Sequence, residues 1–127
     1  MELGLKGKVA IVTGPAKGMG AAITLALARE GVDLCLAGRD MAAIGPVFSK
    51  VKELKRRAIE VRCDVTSESD VKNLVEKTLA AFDGRIDILV NVAGGRGPLE
   101  TTAWETTPAA FDEVVELNMK GCFLTMR

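Results

Sequence analysis

A strand-like run that leads into a glycine turn constrains the fold of this chain more than any other feature. The apolar run Val9–Val12 is typical of a parallel strand that is buried on both faces. Gly14, Gly18 and Gly20 follow, and residues 21–28 favour a helix. Glycines at such a junction let the backbone approach a ligand closely, and the amides and dipole of the new helix attract phosphate. A strand, a glycine turn and a helix in this order are the context that a dinucleotide-binding fingerprint requires.

The spacing of the glycines, Gly14-x-x-x-Gly18-x-Gly20 after Thr13, differs from the usual G-x-G-x-x-G pattern. It resembles the T-G-x-x-x-G-x-G signature of the short-chain dehydrogenase/reductase family. The resemblance implies a nicotinamide dinucleotide site that includes Thr13, Gly14, Lys17, Gly18, Met19 and Gly20. The alternative is an ordinary strand-to-helix turn that uses glycine only for its positive φ angles.

Size, charge and composition argue against several other classes of protein. With 127 residues, 48% of them hydrophobic, we expect one globular domain over residues 1–127. A net charge of zero argues against nucleic-acid partners, and no apolar run reaches the ~20 residues that span a membrane. Histidine is absent, and Cys35, Cys63 and Cys122 lack metal-type spacing. We therefore expect no metal site, and reduced, buried thiols in a cytoplasmic protein.

Strand and helix patterns alternate along the chain, which predicts an α/β fold with a Rossmann-type, doubly wound parallel sheet. We expect strands at 8–13, 33–37, 58–63 and 86–92, in the spatial order 3-2-1-4. We expect one helix at 18–30 and a second at 46–55, after a short turn at 41–44. A third helix should begin at the capping box Ser67–Asp70, and a fourth should run from Pro108 to the end. The inward face of the last helix should carry Phe111, Val114, Val115, Asn118 and Cys122.

Two cations near the glycine turn indicate which cofactor is preferred. Arg39 follows the second predicted strand, where an acidic residue would bind a ribose 2′-hydroxyl but an arginine accommodates a 2′-phosphate. Lys17, inside the turn, adds a second positive charge. The pair resembles the phosphate clamp of NADP-preferring family members, so we expect NADP, with NAD as the second choice. Alternatively both side chains are ordinary solvated charges. Asp40 is expected to cap the next helix.

The ends of the third and fourth predicted strands resemble two further motifs of the family. Asp64 and Val65 match its adenine-binding pair, in which the carboxylate accepts a hydrogen bond from the adenine amino group. Asn91-Val92-Ala93-Gly94 resembles N-N-A-G, although valine replaces the second asparagine. There Asn91 would tie strands together, and Ala93 and Gly94 would leave room for ribose. The alternatives are turn chemistry for Asp64 and a plain strand exit at residues 91–94.

The last predicted helix contains Val115-Glu-Leu-Asn-Met-Lys-Gly121, which resembles the family segment V-N-x-x-G. In the family this asparagine kinks the helix and holds a water in a proton relay, which would make Asn118 a catalytic residue. The alternative is a buried asparagine that bonds only to backbone. The loop from Gly94 to Pro98 is a candidate wall of the substrate pocket.

Together the motifs imply an oxidoreductase that transfers hydride between a nicotinamide cofactor and a small carbonyl or alcohol substrate. A sugar, a steroid, a fatty acyl thioester and a small ketone are all open as substrates, and overall resemblance alone favours a 3-oxoacyl group. The Y-x-x-x-K proton donor of the family lies after the matched segment, and this chain has no tyrosine. We therefore expect residues 1–127 to be the cofactor-binding half, truncated before the catalytic region and inactive alone. The alternative is a non-catalytic dinucleotide-binding or structural module.

Two apolar surfaces predict self-association. The strand at 86–92 is expected to lie at the edge of the sheet, where its unpaired backbone groups can pair with another chain. Without the rest of the family's length, the final helix would also lack partners for four apolar residues, and in the family such helices form the oligomer interface; the four are Phe111, Val115, Phe123 and Leu124. We therefore expect a homodimer or homotetramer.

Overall fold

A computed structural model describes residues 2–95 and 102–127, and within them a four-stranded parallel sheet carries helices on both faces. The strands are β1 (Val9–Thr13), β2 (Asp33–Gly38), β3 (Ala58–Arg62) and β4 (Ile88–Asn91). Their spatial order is β3-β2-β1-β4, which confirms the predicted Rossmann-type sheet. The glycine turn after β1 therefore lies at the middle of the sheet's carboxyl edge, between the ends of β2 and β4.

The helices are α1 (Gly18–Arg29), α2 (Met41–Glu53), α3 (Glu68–Ala81), α4 (Pro108–Val115) and α5 (Gly121–Met126). A π-helical turn at Glu116–Lys120 joins α4 to α5, and a 3₁₀ turn at Ala103–Glu105 precedes α4. Within the described residues, no helix has the length and apolar character needed to cross a membrane.

Alternate residues of β1 enter two separate cores. Val9 and Ile11 pack on the face covered by α3 and α5, and Ala10 and Val12 on the face covered by α1 and α2. All four are at most 3% exposed, which explains why the strand is a continuous apolar run. The predicted burial of Cys35 and Cys63 is confirmed, while Cys122 is half-buried, and all three thiols are free.

The second helix begins at Met41, so the predicted start at residue 46 was wrong. The Asp40 carboxylate caps this helix, as predicted, by accepting the Ala43 amide at 3.2 Å. Pro46 consequently lies inside the helix, which costs about 3 kcal/mol. Two features of the earlier start offset this cost: burial of Ile44, worth about 1.5–3 kcal/mol, and the Asp40 cap, worth about 1 kcal/mol. Val47 and Val51, also on the inner face of α2, are at most 5% exposed.

The capping box at the start of α3 forms only in part. The Ser67 hydroxyl accepts the Asp70 amide at 3.2 Å, as predicted. The Asp70 carboxylate, however, accepts the amide of Asp64 at 2.9 Å instead of returning to the Ser67 backbone. This bond joins the first turn of α3 to the residues that follow β3, and so helps to position Asp64.

The final helical segment begins as predicted, since the Thr107 hydroxyl accepts the Ala110 amide at 3.1 Å. Its predicted inward face was wrong at Phe111, which is 62% exposed. Leu117 and Leu124 pack against the core instead. The π turn at Glu116–Lys120, with its wider i→i+5 bonding, rotates only the residues after it, such as Leu124; Phe111 precedes the turn.

Carboxylates close the amino edge of the sheet. The Asp33 side chain is 3% exposed and accepts from the Arg56 guanidinium at 3.1 Å and the Arg57 guanidinium at 2.9 Å. Asp87 accepts the amide of Val9 at 2.8 Å and so fastens β1 beside β4. The carboxylates at this edge are therefore partnered within the fold, whereas the buried Nε of Arg56 has no hydrogen-bond partner among the described residues.

Candidate functional site

The glycine turn brings three backbone segments so close that side chains cannot fit between them. Gly14 has a φ of +68°, and a Cβ there would lie 2.8 Å from the amide nitrogen of Ala93 after β4. A Cβ at Gly20 would overlap the carbonyl oxygen of Gly14. Gly18 also has a positive φ, +58°, but has open space around it. The turn therefore needs glycine for packing at two positions and for backbone conformation at two.

The first turn of α1 is open to a ligand on its amide side. Its N-cap residue, Lys17, makes no side-chain capping bond, and the first turn contains no acidic residue. The orphan amides of a helix start carry the positive end of the helix dipole and favour an anion. Met19, at the second position of α1, is 74% exposed beside this turn.

Thr13 lies beneath the turn and is only 1% exposed. Its hydroxyl donates to the Val90 carbonyl at 3.4 Å and accepts the amides of Val92 and Ala93, both at 3.2 Å. It therefore holds the exit of β4 against the end of β1. A direct contact between Thr13 and a ligand is not favoured by this burial.

A cleft of about 160 Å³ opens where the four strands end. Six of the predicted site residues line it together, although they come from four separate segments of the chain. They are Gly14, Arg39, Asp64, Val65, Ala93 and Gly94. The carboxyl edge of the sheet is thus the place where the separate motifs meet.

A second cleft, of about 410 Å³, adjoins the first and contains both predicted cations. Lys17 and Arg39 line it together with Gly14 and Gly38. Neither cation makes an ion pair within residues 2–95 and 102–127. Two positive charges without a protein partner, beside a glycine turn and an uncapped helix start, suit a bound phosphate.

The Asp64 carboxylate both makes the hydrogen bonds of a turn and lines the cleft. One carboxylate oxygen accepts the Thr66 hydroxyl at 2.7 Å and the Thr66 amide at 2.9 Å, which is turn chemistry. These bonds, with a smaller contribution from the charges of Arg39 and Arg62, hold the Asp64 pKa below its usual value. The side chain still lines the cleft, so it remains an ionised acceptor there.

Asn91 and Asn118 lie behind the cleft instead of on its wall. The Asn91 side chain accepts the Thr125 hydroxyl at 2.7 Å, so it ties β4 to α5, where the resemblance implied a tie between strands. Asn118 lies in the π turn; its side chain donates to the carbonyls of Gly95 (2.8 Å) and Val114 (2.9 Å) and accepts the Gly95 amide (3.1 Å). Hydrogen bonds to backbone are what the alternative interpretation of Asn118, a structural asparagine, predicts. A proton-relay role for Asn118 stays a prediction.

Several cleft residues were missed from the sequence. Cys63 lines the main cleft, and burial raises the pKa of its thiol to about 11, so it is a neutral wall residue. Leu117 lines the same cleft, and Glu113 and Glu116 line a neighbouring one of about 220 Å³. Glu113, Glu116 and Leu117 have i, i+3, i+4 spacing and so share one face of the helical segment, but this spacing alone does not show that the face borders the clefts. The Gly94–Pro98 loop proposed as a substrate wall lies largely outside the described residues.

Comparison with known proteins agrees with this geometry. A model of the short chain dehydrogenase family matches residues 8–127. An uncharacterized oxidoreductase of Staphylococcus saprophyticus is 39% identical over 123 residues, which are 96% of this chain and 51% of that protein. The chain spans about half or less of the length of the curated relatives it matches.

Solved structures resemble the fold equally well. A xylitol dehydrogenase bound to NAD⁺ superimposes with a TM-score of 0.90 at 33% identity, over 96% of this chain and 46% of that one. An actinorhodin polyketide ketoreductase variant with NADPH gives a TM-score of 0.86 at 29% identity, over 94% of this chain and 44% of that one. Similar structures therefore hold either dinucleotide.

The packing of the glycine turn predicts a large cost for Gly20→Ala. Because the new methyl group would overlap backbone atoms of Gly14 and Pro15, the turn must shift, and we expect a loss of about 2 kcal/mol or more in the free energy of unfolding. Gly45→Ala in α2 is the matched control, because nothing lies within 4 Å of the added atom. It should stabilise the protein by about 0.5–1 kcal/mol. Urea unfolding measures both variants, and equal effects would contradict the close packing.

Proposed function

Because the chain belongs to the short-chain dehydrogenase family, we propose that it forms the cofactor-binding half of an NADP(H)-dependent oxidoreductase. The observation that carries this proposal is the pair of unpartnered cations, Lys17 and Arg39, in one cleft beside the glycine turn. The proposed reaction moves hydride between the nicotinamide ring and a small carbonyl or alcohol substrate. The ring supplies or accepts the hydride when the cofactor is bound, and the protein binds and orients it.

We assign each part of the cofactor to residues that suit its chemistry. The pyrophosphate belongs at the turn of Gly14, Gly18, Met19 and Gly20, where helix amides are free. The 2′-phosphate belongs between Lys17 and Arg39, and the adenine beside Asp64 and Val65. Ala93 and Gly94, which have little or no side chain, leave room for ribose. Thr13 and Asn91 act on this site by holding the strand ends in place.

The preference for NADP over NAD rests on charge, because both cofactors occur in similar structures. A guanidinium offers a phosphate two parallel charge-assisted hydrogen bonds, and a ribose hydroxyl needs no such partner. Among the described residues that line the same cleft, Asp40 is the only one with a carboxylate, and it is engaged in capping α2. NAD remains the second choice of cofactor.

The substrate class and the cellular compartment are also proposals. Overall resemblance to the family favours a 3-oxoacyl group as the carbonyl that is reduced. The three cysteines form no disulfide within the described residues, which supports a reducing compartment such as the cytoplasm.

A non-catalytic dinucleotide-binding module is the second candidate function. The tyrosine proton donor of the family lies after the segment that residues 8–127 match, so the absence of tyrosine here fits both candidates. In the second, residues 1–127 would be one nucleotide-binding domain that lacks its own proton donor. The two candidates make the same prediction for cofactor binding and differ for turnover.

Replacement of Arg39 by Asp tests the phosphate clamp. Each lost charge-assisted bond is worth about 1.5–3 kcal/mol, so we expect NADP affinity to fall at least tenfold while NAD affinity is kept or improved. Lys50→Asp makes the same charge change on the exposed surface of α2 and should leave the ratio of the two affinities unaltered. Calorimetric titration with each nucleotide gives both dissociation constants. An unaltered ratio in the Arg39 variant would exclude the clamp.

The chain as sequenced should bind cofactor without catalysing turnover. General acid catalysis contributes about 10²–10⁴-fold, and the family's tyrosine acid is absent from these 127 residues. The chain is incubated with NADPH and a panel of ketones, including a 3-oxoacyl thioester, while the absorbance of the reduced cofactor is followed. Protein-dependent oxidation that persists through repurification would show that another group donates the proton.

We also propose that the protein is a homo-oligomer. The final helical segment exposes large apolar side chains: Phe111 at 62%, Met119 at 69%, Phe123 at 56% and Met126 at 67%. A surface of this kind is unusual on a monomer. Size exclusion with light scattering should give a dimer or larger species, and Phe123→Asp should shift it toward monomer. Leu54→Asp, at an exposed position after α2, should not; a monomeric parent protein would refute the proposal.

A further inference from the structure

Arg39 lies between two clefts of opposite charge. On one side it shares the 410 Å³ cleft with Lys17. On the other it shares a cleft of about 220 Å³ with three carboxylates, those of Asp64, Glu113 and Glu116. Charges that line one cleft of this size interact most strongly at low salt, where the Debye length rises from about 10 Å at 0.1 M to about 30 Å at 0.01 M. The acidic wall therefore acts on any charge that Arg39 holds.

The three carboxylates of this wall are not equivalent. Asp64 is bonded to Thr66, and it also belongs to the main cleft. The Glu116 carboxylate lies 3.7 Å from the Lys120 ammonium, which partly neutralises it. Glu113 makes neither an ion pair nor a side-chain hydrogen bond to any other described residue. Of the three carboxylates in this cleft, that of Glu113 is therefore the one with neither an ion pair nor a hydrogen-bond donor among residues 2–95 and 102–127.

We propose that Glu113 is a specificity-determining residue that weakens the binding of a 2′-phosphorylated nucleotide relative to its unphosphorylated analogue. This inference rests on the proposed function, because it assumes that the adenosine end of the cofactor binds near Arg39. Two effects act in the same direction. The carboxylate repels the 2′-phosphate, which carries a charge of about −1.5 to −2, and it attracts the Arg39 guanidinium that the phosphate needs.

Two fragments of the cofactor test this inference without any catalytic step. Adenosine 2′,5′-bisphosphate carries the 2′-phosphate, and adenosine 5′-monophosphate lacks it but keeps the 5′-phosphate. Calorimetric titrations compare the unmodified protein with Glu113→Gln at low salt and at 0.3 M salt. The matched control is Asp112→Asn, which removes the same charge from the preceding residue, an exposed side chain that lines none of the three clefts.

We expect Glu113→Gln to tighten binding of the bisphosphate by about two- to fivefold at low salt, with a smaller gain at 0.3 M salt. The affinity of Glu113→Gln for the monophosphate should change by less than its affinity for the bisphosphate. The affinities of Asp112→Asn for both nucleotides should also change by less than that gain. An equal gain for both nucleotides, an equal gain in the control, or no gain at all would overturn the role of Glu113. Failure of the unmodified protein to bind either fragment would instead refute the proposed function, and the inference with it.

Discussion

The close approach of backbone at the ends of β1 and β4 is the constraint on which the candidate site depends. Gly14 lies against the amide of Ala93, and Gly20 lies against the carbonyl of Gly14. The Thr13 hydroxyl bonds to the same exit of β4. Because these contacts leave no space for a Cβ, the strand ends, the start of α1 and the loop after β4 form one rigid edge.

Charged side chains are paired at the amino edge of the sheet, whereas two cations of the described residues lack ion pairs at the carboxyl edge, where the candidate site lies. At the amino ends, Asp33 is nearly inaccessible and receives two guanidinium groups, and Asp87 accepts a backbone amide. At the carboxyl ends, Lys17 and Arg39 have no ion-pair partner among the described residues. Unpartnered charge held near a concave surface is a feature of binding sites, whereas compensated charge stabilises the fold. The ligand is therefore expected at the carboxyl edge on electrostatic as well as topological grounds.

The sheet and most of the cleft could be predicted from the sequence because both depend on where buried strands end. Apolar runs locate the four strands, and the residues just beyond them, such as Arg39, Asp64 and Ala93, must meet at one edge of a parallel sheet. Local chemistry also predicted the caps made by Asp40 and Thr107. The assignments of individual residues to cofactor contacts stay predictions.

The features that could not be predicted depend on contacts made outside the local signals for a helix start. The start of α2 follows from burial of Ile44 against the sheet and the Asp40 cap, which offset a proline that argues for a later start. The Asp70 carboxylate bonds to the amide of Asp64, six residues earlier, instead of completing the capping box. In both cases a contact beyond the first turn of the helix prevails over a preference within it.

Asn118, in the π turn, links the last helical segment to the candidate site. Asn118 in this turn makes three bonds to backbone, two of them to Gly95, so the loop after β4 and the helix after Thr107 are joined at one residue. Leu117, in the same turn, lines the main cleft. A change at Asn118 would therefore move a wall of the nucleotide cleft as well as the loop after β4. Loss of cofactor affinity in an Asn118 variant would thus reflect this positioning role, and only a separate effect on the rate of hydride or proton transfer would indicate participation in a proton relay.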